Sequence, residues 1–291
     1  MTRLLLLSGK GGTGKTTTAA AFIRFAEAKA FADCDVDAPN LHLLQEVSGE
    51  PETKTFLGGE KALIDQDQCT GCGPCMENCR FDAIKVVDGR AVVSESFCEG
   101  CGVCEYVCPQ KAVSIVPDQT GTRALYTGDT VFSTAMLKMG RGNSGKLVTE
   151  VKQAMLDAVD WARNRVAIID GSPGIGCPVI SSVSGVDLVL IVAEPSLSGI
   201  SDMERILNTA ETLDAMAAVC VNKADTAPEK ADAIEDYCRS HLIPFLGRIP
   251  YDKTASLAVN AGKSVADYDC PARNALHDIY ENVMDLMGFP V

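Results

Sequence analysis

Eight of the chain's 13 cysteines fall within 40 residues, in two copies of a single spacing. Each copy reads C-x2-C-x2-C-x3-C; the first is Cys69, Cys72, Cys75 and Cys79, and the second is Cys98, Cys101, Cys104 and Cys108. Because thiolates are strong ligands for soft metals, this density predicts metal ligation. No secretory signal is visible in the sequence, so we expect a reducing, cytoplasmic location in which disulfides are disfavoured.

A shift of 29 residues superimposes the two copies and identifies an internal duplication. The shift aligns each cysteine with a cysteine, and it aligns the apolar residues 62–64 with residues 91–93. Each half is therefore predicted to form a short strand, a ligand loop, one helical turn and a second short strand. The two halves should pack about a pseudo-two-fold axis.

The duplicated run resembles the ligand pattern of bacterial two-cluster ferredoxins, including the Pro109 that follows the second copy. Arg80 stands at the equivalent position of the first copy, where that family usually has proline. The resemblance implies two 4Fe–4S clusters, in which the fourth cysteine of each run serves the other cluster. It assigns Cys69, Cys72, Cys75 and Cys108 to cluster 1, and Cys98, Cys101, Cys104 and Cys79 to cluster 2. Zinc is the alternative, although zinc sites usually take two close cysteines from each of two segments.

A second chemical pattern lies near the start of the chain, where residues 3–8 (RLLLLS) read as a buried strand and lead into GKGGTGKT at residues 9–16. A strand, a G-x4-G-K-T loop and an Ala-rich helical stretch to about Ala30 form the context of a phosphate-binding loop. We predict that backbone N–H groups and the helix N-terminus surround the phosphates, that Lys15 reaches the β- and γ-phosphates and that Thr16 binds Mg²⁺. The other predicted nucleotide-binding residues of the loop are Gly11, Gly12, Thr13, Gly14 and Thr17.

Lys10 adds a further signal to this loop. The sequence K-G-G-x-G-K-T resembles the deviant Walker A motif of the superfamily that contains MinD, ParA and the nitrogenase iron protein. The resemblance implies an ATPase that converts ATP to ADP and phosphate and is stimulated by a partner. It also implies that Lys10 reaches the nucleotide of a second subunit, in an ATP-dependent homodimer or a heterodimer with a related ATPase. The alternative is a solvent-facing loop lysine.

Residues 33–41 resemble the switch I segment of the same superfamily. By that resemblance Asp35 positions or activates the attacking water, and Asp33 lies near the Mg²⁺ shell. Asp37 is a third carboxylate to which the resemblance gives no role.

Residues 166–170 read as a buried strand that ends in a carboxylate. Asp170 resembles the Walker B aspartate, which holds Mg²⁺ through water. Residues 171–174 follow it and resemble switch II, which senses the γ-phosphate. An aspartate before a glycine can also be simple turn chemistry.

The predicted base-binding residues lie late in the chain. By resemblance, Asn222 hydrogen-bonds adenine, and Pro250 and Tyr251 flank the base. Asn222 also begins an N-K-x-D sequence ending at Asp225, which is similar to the guanine-reading motif of GTPases. The deviant Walker A motif favours ATP.

These patterns predict an α/β fold: a doubly wound, mostly parallel P-loop NTPase domain with an inserted small α+β domain like a bacterial ferredoxin. We expect the ATPase domain over residues 1–57 and 124–291 and the insert over residues 58–123. Further buried strands are predicted over residues 188–193 and 217–222. Because ligands bind at the carboxyl ends of parallel strands, the clusters are expected near the nucleotide edge.

Three segments leave alternatives open. Residues 140–146, with no strand predicted before them, form either a second anion-binding loop or a flexible segment. Residues 150–164 are predicted to form a helix. Cys177 lies seven residues after Asp170, the offset of a cluster-ligating cysteine in the nitrogenase iron protein, but the second cysteine of that pattern is missing from residues 124–165. Cys177 either binds a metal or has a structural role.

The formal net charge of −13 disfavours nucleic acid and anionic membranes as partners. The predicted terminal helix, residues 272–287, is acidic, unlike the basic helix that attaches MinD-type ATPases to membranes. The expected partner is therefore a redox protein or a metallocluster client. Three functions follow by resemblance: an ATP-gated electron carrier, an ATPase for metallocluster assembly, and a positioning or scaffold ATPase of the MinD/ParA type.

Overall fold

The computed structural model describes residues 2–161 and 164–289, and these residues form one nine-stranded sheet and a separate two-stranded hairpin. The strands are β1 (Thr2–Leu7), β2 (Ala30–Asp33), β3 (Glu52–Ile64), β4 (Ile84–Val87), β5 (Arg90–Val93), β6 (Val113–Thr127), β7 (Val131–Leu137), β8 (Val166–Asp170), β9 (Leu188–Ala193), β10 (Met216–Asn222) and β11 (Phe245–Ile249). The α-helices are α1 (Lys15–Phe25), α2 (Pro74–Glu77), α3 (Val103–Tyr106), α4 (Ser144–Ala158), α5 (Cys177–Val183), α6 (Leu197–Thr212), α7 (Pro228–Ser240), α8 (Lys253–Asn260) and α9 (Pro271–Leu286).

The strand order of the large sheet is β11-β10-β9-β1-β8-β2-β7-β6-β3. Neighbours from β11 to β7 are parallel, whereas β6 is antiparallel to both β7 and β3. The central strands β1, β8 and β9 are almost continuously apolar because helices cover both of their faces. The predicted mostly parallel, doubly wound α/β fold is confirmed.

Alternation along β1 divides the core into two layers. Leu4 and Leu6 pack on the side of α1 and α9, whereas Leu5 and Leu7 pack on the side of α4, α5, α6 and α7. Side chains of successive strand residues point to opposite faces, so one apolar strand supplies both layers. The sheet is thereby held rigid beneath the loops at its carboxyl edge.

The cysteine runs lie beyond this carboxyl edge. Gly121 of β6 pairs with Leu137, the last residue of β7, and the remainder of β6 continues past that point while still paired with β3. The β3–β6 ribbon ends at the pair Ile64–Val113, and residues 65–112 form the cysteine module between these two positions. The module therefore stands on strands that belong to the main sheet.

The predicted limits of the insert, residues 58 and 123, fall inside β3 and β6. Gly58 and Gly59 lie where the β3–β6 register shifts, and a Cβ atom at Gly58 would come within 2.3 Å of the Thr120 hydroxyl. Glycines in a strand often mark such a bulge. This glycine pair therefore marks an irregularity within β3.

Two other expectations differ from the structure. The expectation that no strand precedes residues 140–146 is wrong, because β7 ends at Leu137 and pairs with β2. The helix predicted over 150–164 begins earlier, at Ser144, and ends at Ala158; Ala162 and Arg163 lie outside the described residues. Among the helices of the described residues, none has the length and apolar character needed to cross a bilayer.

Candidate nucleotide and metal-cluster sites

The loop after β1 forms a cradle at the N-terminus of α1. Gly12 and Gly14 adopt left-handed backbone angles, with φ of 80° and 96°. A Cβ atom at Gly14 would lie 2.2 Å from Nδ2 of Asn222, so glycine is required there. A Cβ atom at Gly11 or Gly12 would meet nothing within 4 Å, which leaves open space in front of the loop. This geometry suits the approach of phosphate groups to backbone N–H groups and a helix N-terminus.

Lys15, Thr16 and Asp170 form a closed polar cluster beneath the loop. The Lys15 ammonium lies 2.5 Å from Oδ1 of Asp170, and the Thr16 hydroxyl donates to Oδ2 of Asp170 at 2.7 Å. Asp170 is fully buried and Lys15 nearly so. The groups predicted to bind the γ-phosphate and Mg²⁺ therefore neutralise one another here. The buried hydroxyl of Thr13 has no hydrogen-bond partner within the described residues, which leaves it available to a ligand.

Switch I is held by the first of its three aspartates. Asp33 accepts backbone N–H groups from Asp35, Asn40 and Leu41 at 3.0, 2.8 and 2.9 Å. Burial, with the nearby charge of Asp170, raises the pKa of Asp33 to about 7. Asp33 thus fixes the shape of the segment, and the half-buried Asp35 lines the cavity in front of the loop. Burial also raises the pKa of Asp35.

Switch II is tied to both neighbouring strands. The Ser172 hydroxyl donates to the carbonyl of Cys34 at 2.6 Å, and the N–H of Gly174 donates to the carbonyl of Ser8 at 2.9 Å. α5 then begins at Cys177, whose side chain is exposed. These hydrogen bonds join switch II, shortly before α5, to Ser8 ahead of the phosphate loop and to Cys34 of switch I.

The predicted base-binding residues come together on the other side of the loop. Asn222, Pro250 and Tyr251 line a cavity of about 320 Å³ together with Gly12 and Gly14. The side-chain amide of Asn222 donates to the Thr13 carbonyl at 2.6 Å.

The carboxylate of Asp225, the last residue of the N-K-x-D sequence, has a different partner. It accepts the backbone N–H of Tyr251 at 2.6 Å. A guanine-reading aspartate would have to face the base instead. The arrangement therefore favours adenine over guanine.

Lys10 lies beside the loop and is held by a residue that the sequence patterns did not single out. Its ammonium lies 2.5 Å from Oε2 of Glu194, and Lys223 approaches the other oxygen of the same carboxylate at 3.5 Å. These partners lower the pKa of Glu194, chiefly through the hydrogen bond from Lys10. Glu194 follows directly after β9, and a charged residue at the carboxyl end of a buried strand is the signal that could have identified it.

The cysteine module has the internal symmetry that the duplication predicts. The sulfurs of Cys69 and Cys98 accept N–H groups from Ala91 and Ala62 at 3.4 Å, and those of Cys79 and Cys108 accept from Ala83 and Ala112 at 3.4 Å. The Cys79 and Cys108 pairs are related by a displacement of 29 residues, and in the Cys69 and Cys98 pairs each sulfur accepts from the alanine of the other half. Backbone N–H groups directed at sulfur are characteristic of metal-ligating thiolates.

Cysteines from both runs converge at each end of the module. Cys79, Cys98, Cys101 and Cys104 line one small cavity together with apolar side chains that include Ile84. At the other end, burial raises the pKa of the Cys75 thiol, and the adjacent Cys69 and Cys108 add to this rise. These groupings are those expected if the fourth cysteine of each run crosses over.

The spacing of the sulfurs fits a cluster better than a single ion. Four thiolates bound to one zinc ion at about 2.3 Å would lie roughly 4 Å from one another. Within residues 2–161 and 164–289, no three cysteine sulfurs lie mutually within 4.8 Å; the only group of potential ligands that close is His277, Asp278 and Glu281 on α9. The donor set therefore suits a larger inorganic group in each half of the module.

The family comparison agrees with the geometry of the nucleotide site. A model of the CobQ/CobB/MinD/ParA nucleotide binding domain matches residues 4–265. The chain belongs to this family. It is a nucleotide-binding ATPase of the MinD/ParA type.

Individual relatives extend the likeness. An uncharacterized protein of Methanocaldococcus jannaschii is 34% identical over 227 residues, which cover 76% of this chain and 78% of the relative. A protein of Pyrococcus horikoshii named iron-sulfur cluster carrier protein is 24% identical over 305 residues, covering 97% and 85% of the two chains.

Solved structures of the same fold include two nucleotide complexes. The septum site-determining protein MinD of P. horikoshii with Mg-ADP has a TM-score of 0.57 at 18% identity, with 99% of this chain and 98% of that chain covered. The Cyanothece McdA(D38A)–ATP complex has a TM-score of 0.58 at 18% identity, covering 100% and 98%. At these identities the likeness shows the fold alone.

Two arginines of this MinD/ParA-type ATPase also contact the cysteine loops and were missed by the motif analysis. Arg90 donates to the carbonyl of Cys69, and Arg141 donates to the carbonyl of Cys98 at 3.1 Å. Arg90 lies in the module, but Arg141 lies between β7 and α4. No local pattern marks either residue, because each contact depends on how distant segments pack.

Proposed function

We propose that this MinD/ParA-type ATPase couples an ATP-driven dimer switch to electron transfer through two 4Fe–4S clusters. The observation that carries the proposal is the continuity of β3 and β6 from the ATPase sheet into the cysteine module. Because these strands leave the sheet at its carboxyl edge, the cysteines stand on the side where the nucleotide loops lie.

The nucleotide part of the proposal is Mg²⁺-dependent ATP hydrolysis with Lys15, Thr16, Asp35 and Asp170 in the roles predicted for them. In the nucleotide complex the phosphates would replace Asp170 as the partner of Lys15, and Asp170 would be available to hold the water shell of Mg²⁺. Asp35 lines the same cavity and would orient the attacking water. Asn222, Pro250 and Tyr251 would contact adenine.

The dimer part of the proposal depends on Lys10. Its side chain is 41% exposed and ends at the surface beside the phosphate loop, from which it could reach a second subunit. If Lys10 exchanged Glu194 for the nucleotide of the second subunit, ATP binding would be coupled to dimer formation. A homodimer is the simplest assembly, and a related ATPase would serve equally as the second subunit.

Clusters, when bound, would supply centres that each accept and release one electron. The chain's own residues would hold them by four thiolates each and shield their inner faces with apolar side chains such as Ala62 and Ile84. A low-potential one-electron redox protein would be the donor, and a second redox protein the acceptor. ATP hydrolysis would control when the acceptor can dock.

Assembly of metalloclusters for a client protein is the second candidate function. The observation that favours it is a pair of relatives named iron-sulfur cluster carrier proteins, which are 24% and 25% identical over 97% of the chain. In that case at least one cluster would be cargo, and it would leave the protein during turnover.

The deciding experiment is an anaerobic potentiometric titration followed by EPR, with Mg-ADP and with a non-hydrolysable MgATP analogue. Electron gating predicts that nucleotide changes the equilibrium constant for reduction of at least one cluster by threefold or more, about 30 mV at ~59 mV per tenfold. Lys10→Ala is the matched variant, because it should bind nucleotide without forming the dimer and should lose this shift.

The same preparation tests the alternative. Iron content is measured before and after ATP turnover with an apo-ferredoxin as acceptor. Retention of about eight irons together with a nucleotide-dependent shift supports electron gating. Loss of iron to the acceptor without any shift would replace electron gating with cluster assembly.

A further inference from the structure

The two halves of the cysteine module are not equivalent in one contact. In the first half, Arg90 of the module donates to the carbonyls of Gln66 and Cys69. The residue related to Arg90 by the 29-residue repeat is Lys61. If the symmetry were complete, Lys61 would donate a hydrogen bond to the carbonyl of Cys98.

Lys61 instead has acidic partners. Its ammonium lies 2.5 Å from the carboxylate of Glu95 and 3.5 Å from that of Asp118. The carbonyl of Cys98 accepts a hydrogen bond from Arg141 instead, at 3.1 Å. A residue from outside the duplicated module therefore completes the second ligand loop.

Arg141 is firmly placed. Its side chain is only 10% exposed and its guanidinium lies 2.6 Å from Oδ2 of the buried Asp118 on β6. Because this oxygen has no well-aligned hydrogen bond within the described part of the chain, the contact is an ion pair. The side-chain amide of Asn143, two residues on, donates to the carbonyl of Gly58 on β3. The segment is thus bound to the ribbon that carries the module.

The same segment leads directly into α4, which packs against α5. A Cβ atom at Gly145 would lie 2.9 Å from the Ser181 hydroxyl and 3.2 Å from the carbonyl of Cys177. Further along α4, the Lys152 ammonium donates to three carbonyls at the end of α5, those of Ser181, Ser182 and Ser184. α4 and α5 should therefore move as one unit.

α5 is the helix that follows switch II. The N–H of Gly174 is bound to Ser8, which precedes the phosphate loop, and α5 starts three residues later. A continuous set of contacts therefore runs from the phosphate loop through α5 and α4 to Arg141 and the carbonyl of Cys98.

We infer that Arg141 is the positioning residue through which the nucleotide state acts on the cluster held by Cys79, Cys98, Cys101 and Cys104. This inference rests on the proposed function. The guanidinium charge favours the reduced, more negative form of that cluster, so a shift of α4 that moves Arg141 changes the reduction potential. The other cluster, whose arginine belongs to the module, should respond less to nucleotide.

The test is the titration described above, made on full-length Arg141→Met, Arg141→Lys and Arg90→Met proteins with both clusters present by iron analysis. Dithionite is the one-electron donor. Arg141→Met should lower the nucleotide-free reduction constant of the Cys98 cluster at least threefold and should abolish its response to the MgATP analogue. Arg141→Lys should restore part of the reduction constant. Arg90→Met should affect only the Cys69 cluster and should preserve the response.

Gly145→Ala distinguishes transmission of the nucleotide state through α4 from a constant effect of the Arg141 charge on the reduction potential. It disturbs the α4–α5 contact without altering Arg141. It should reduce the nucleotide response while leaving the nucleotide-free potential of the Cys98 cluster within a factor of two. Hydrogen exchange of residues 98–104 gives a readout that involves no electron transfer: the analogue should alter exchange there in the wild type and not in Arg141→Met.

The outcomes are distinguishable. If the wild-type protein responds to nucleotide and Arg141→Met responds equally, the role of Arg141 is overturned and the proposed function stands. If the wild-type potentials and exchange rates do not respond at all, the proposed coupling itself is wrong and the role of Arg141 falls with it.

Discussion

The ammonium of Lys10 lies 2.5 Å from the carboxylate of Glu194 in the same subunit. Glu194 also draws Lys223, which donates to the carbonyl of Gly12 in the phosphate loop at 3.0 Å. The residue proposed to reach a second subunit is therefore held by an ion pair within its own subunit in this structure. Dimer formation would have to exchange this ion pair for contacts with the partner's nucleotide.

Replacing Glu194 by Gln should therefore promote the ATP-dependent dimer. The ion pair is partly exposed, so its loss should favour the dimer by up to about 1 kcal/mol, or roughly fivefold in the dissociation constant. Analytical ultracentrifugation with a non-hydrolysable MgATP analogue measures this constant. Glu211→Gln, on the exposed surface of α6, is the matched control. Weaker dimerisation of Glu194→Gln would show that Glu194 supports the interface.

Lys15 and Asp170 should depend on each other for stability in the absence of nucleotide. Lys15→Met leaves the fully buried Asp170 carboxylate without its cation and should cost about 3–5 kcal/mol. Asp170→Asn should be destabilising as well, and the double variant should lose less than the two single variants combined. Urea unfolding followed by far-UV circular dichroism gives these values, with the exposed Lys29→Met as control. Additive losses would contradict the coupling.

Ligand exchange between the two cysteine runs predicts matched pairs of spectroscopic effects. Cys108→Ser should alter the same EPR signal as Cys69→Ser, and Cys79→Ser should alter the same signal as Cys98→Ser. Crossed ligation requires this pairing because the fourth thiolate of each run serves the other cluster. Spectra of the four anaerobically purified variants decide it. Pairing of Cys79 with Cys69 would mean that each run binds its own cluster.

Lys152 should make the stability of the protein depend on alkaline pH. Burial lowers its pKa to about 8 from an ordinary value of 10.5. Between these values the unfolded chain keeps the proton that the folded chain has lost. The contribution of Lys152 to the free energy of unfolding should therefore rise from pH 8 to pH 10.5.

Comparison with Lys152→Met isolates this effect from the cysteines and tyrosines that titrate in the same range. The variant should lose the rise, and it should be destabilised by about 1–3 kcal/mol at pH 7 because three carbonyls at the end of α5 lose their donor. Lys146→Met, on the exposed side of the same helix, should keep the wild-type slope. Urea titrations at half-unit pH steps provide the measurement, and parallel curves for all three proteins would rule the effect out.

The sequence was most informative where a local rule determines the structure. The buried runs of β1, β8 and β9 are almost continuously apolar, and Gly12 and Gly14 take left-handed backbone angles that glycine accepts most readily, so both could be predicted. The resemblance of the duplicated run to two-cluster ferredoxins likewise implied how the cysteines group. In the strands and in the phosphate loop, neighbouring residues contain the signal.

The β3–β6 ribbon and β7 could not be predicted in the same way. β3 is an edge strand whose exposed residues mix charged, polar and apolar types and whose two central glycines resemble a boundary. Ser133 and Thr134 interrupt the apolar pattern of β7. The contact between Arg141 and Cys98 joins residues 43 apart, and only the packed structure brings them together.

The pairing of Ile64 with Val113 gives the cysteine module a simple topological description. The 48 residues from 65 to 112 leave and re-enter the ribbon at directly opposed positions. In the topology of the ATPase the entire module is thus the connecting loop of the β3–β6 hairpin. This loop is long enough to fold as a unit with its own core. A two-residue turn would close the same hairpin. Such a unit can be gained or lost in evolution without changing the order of any other strand.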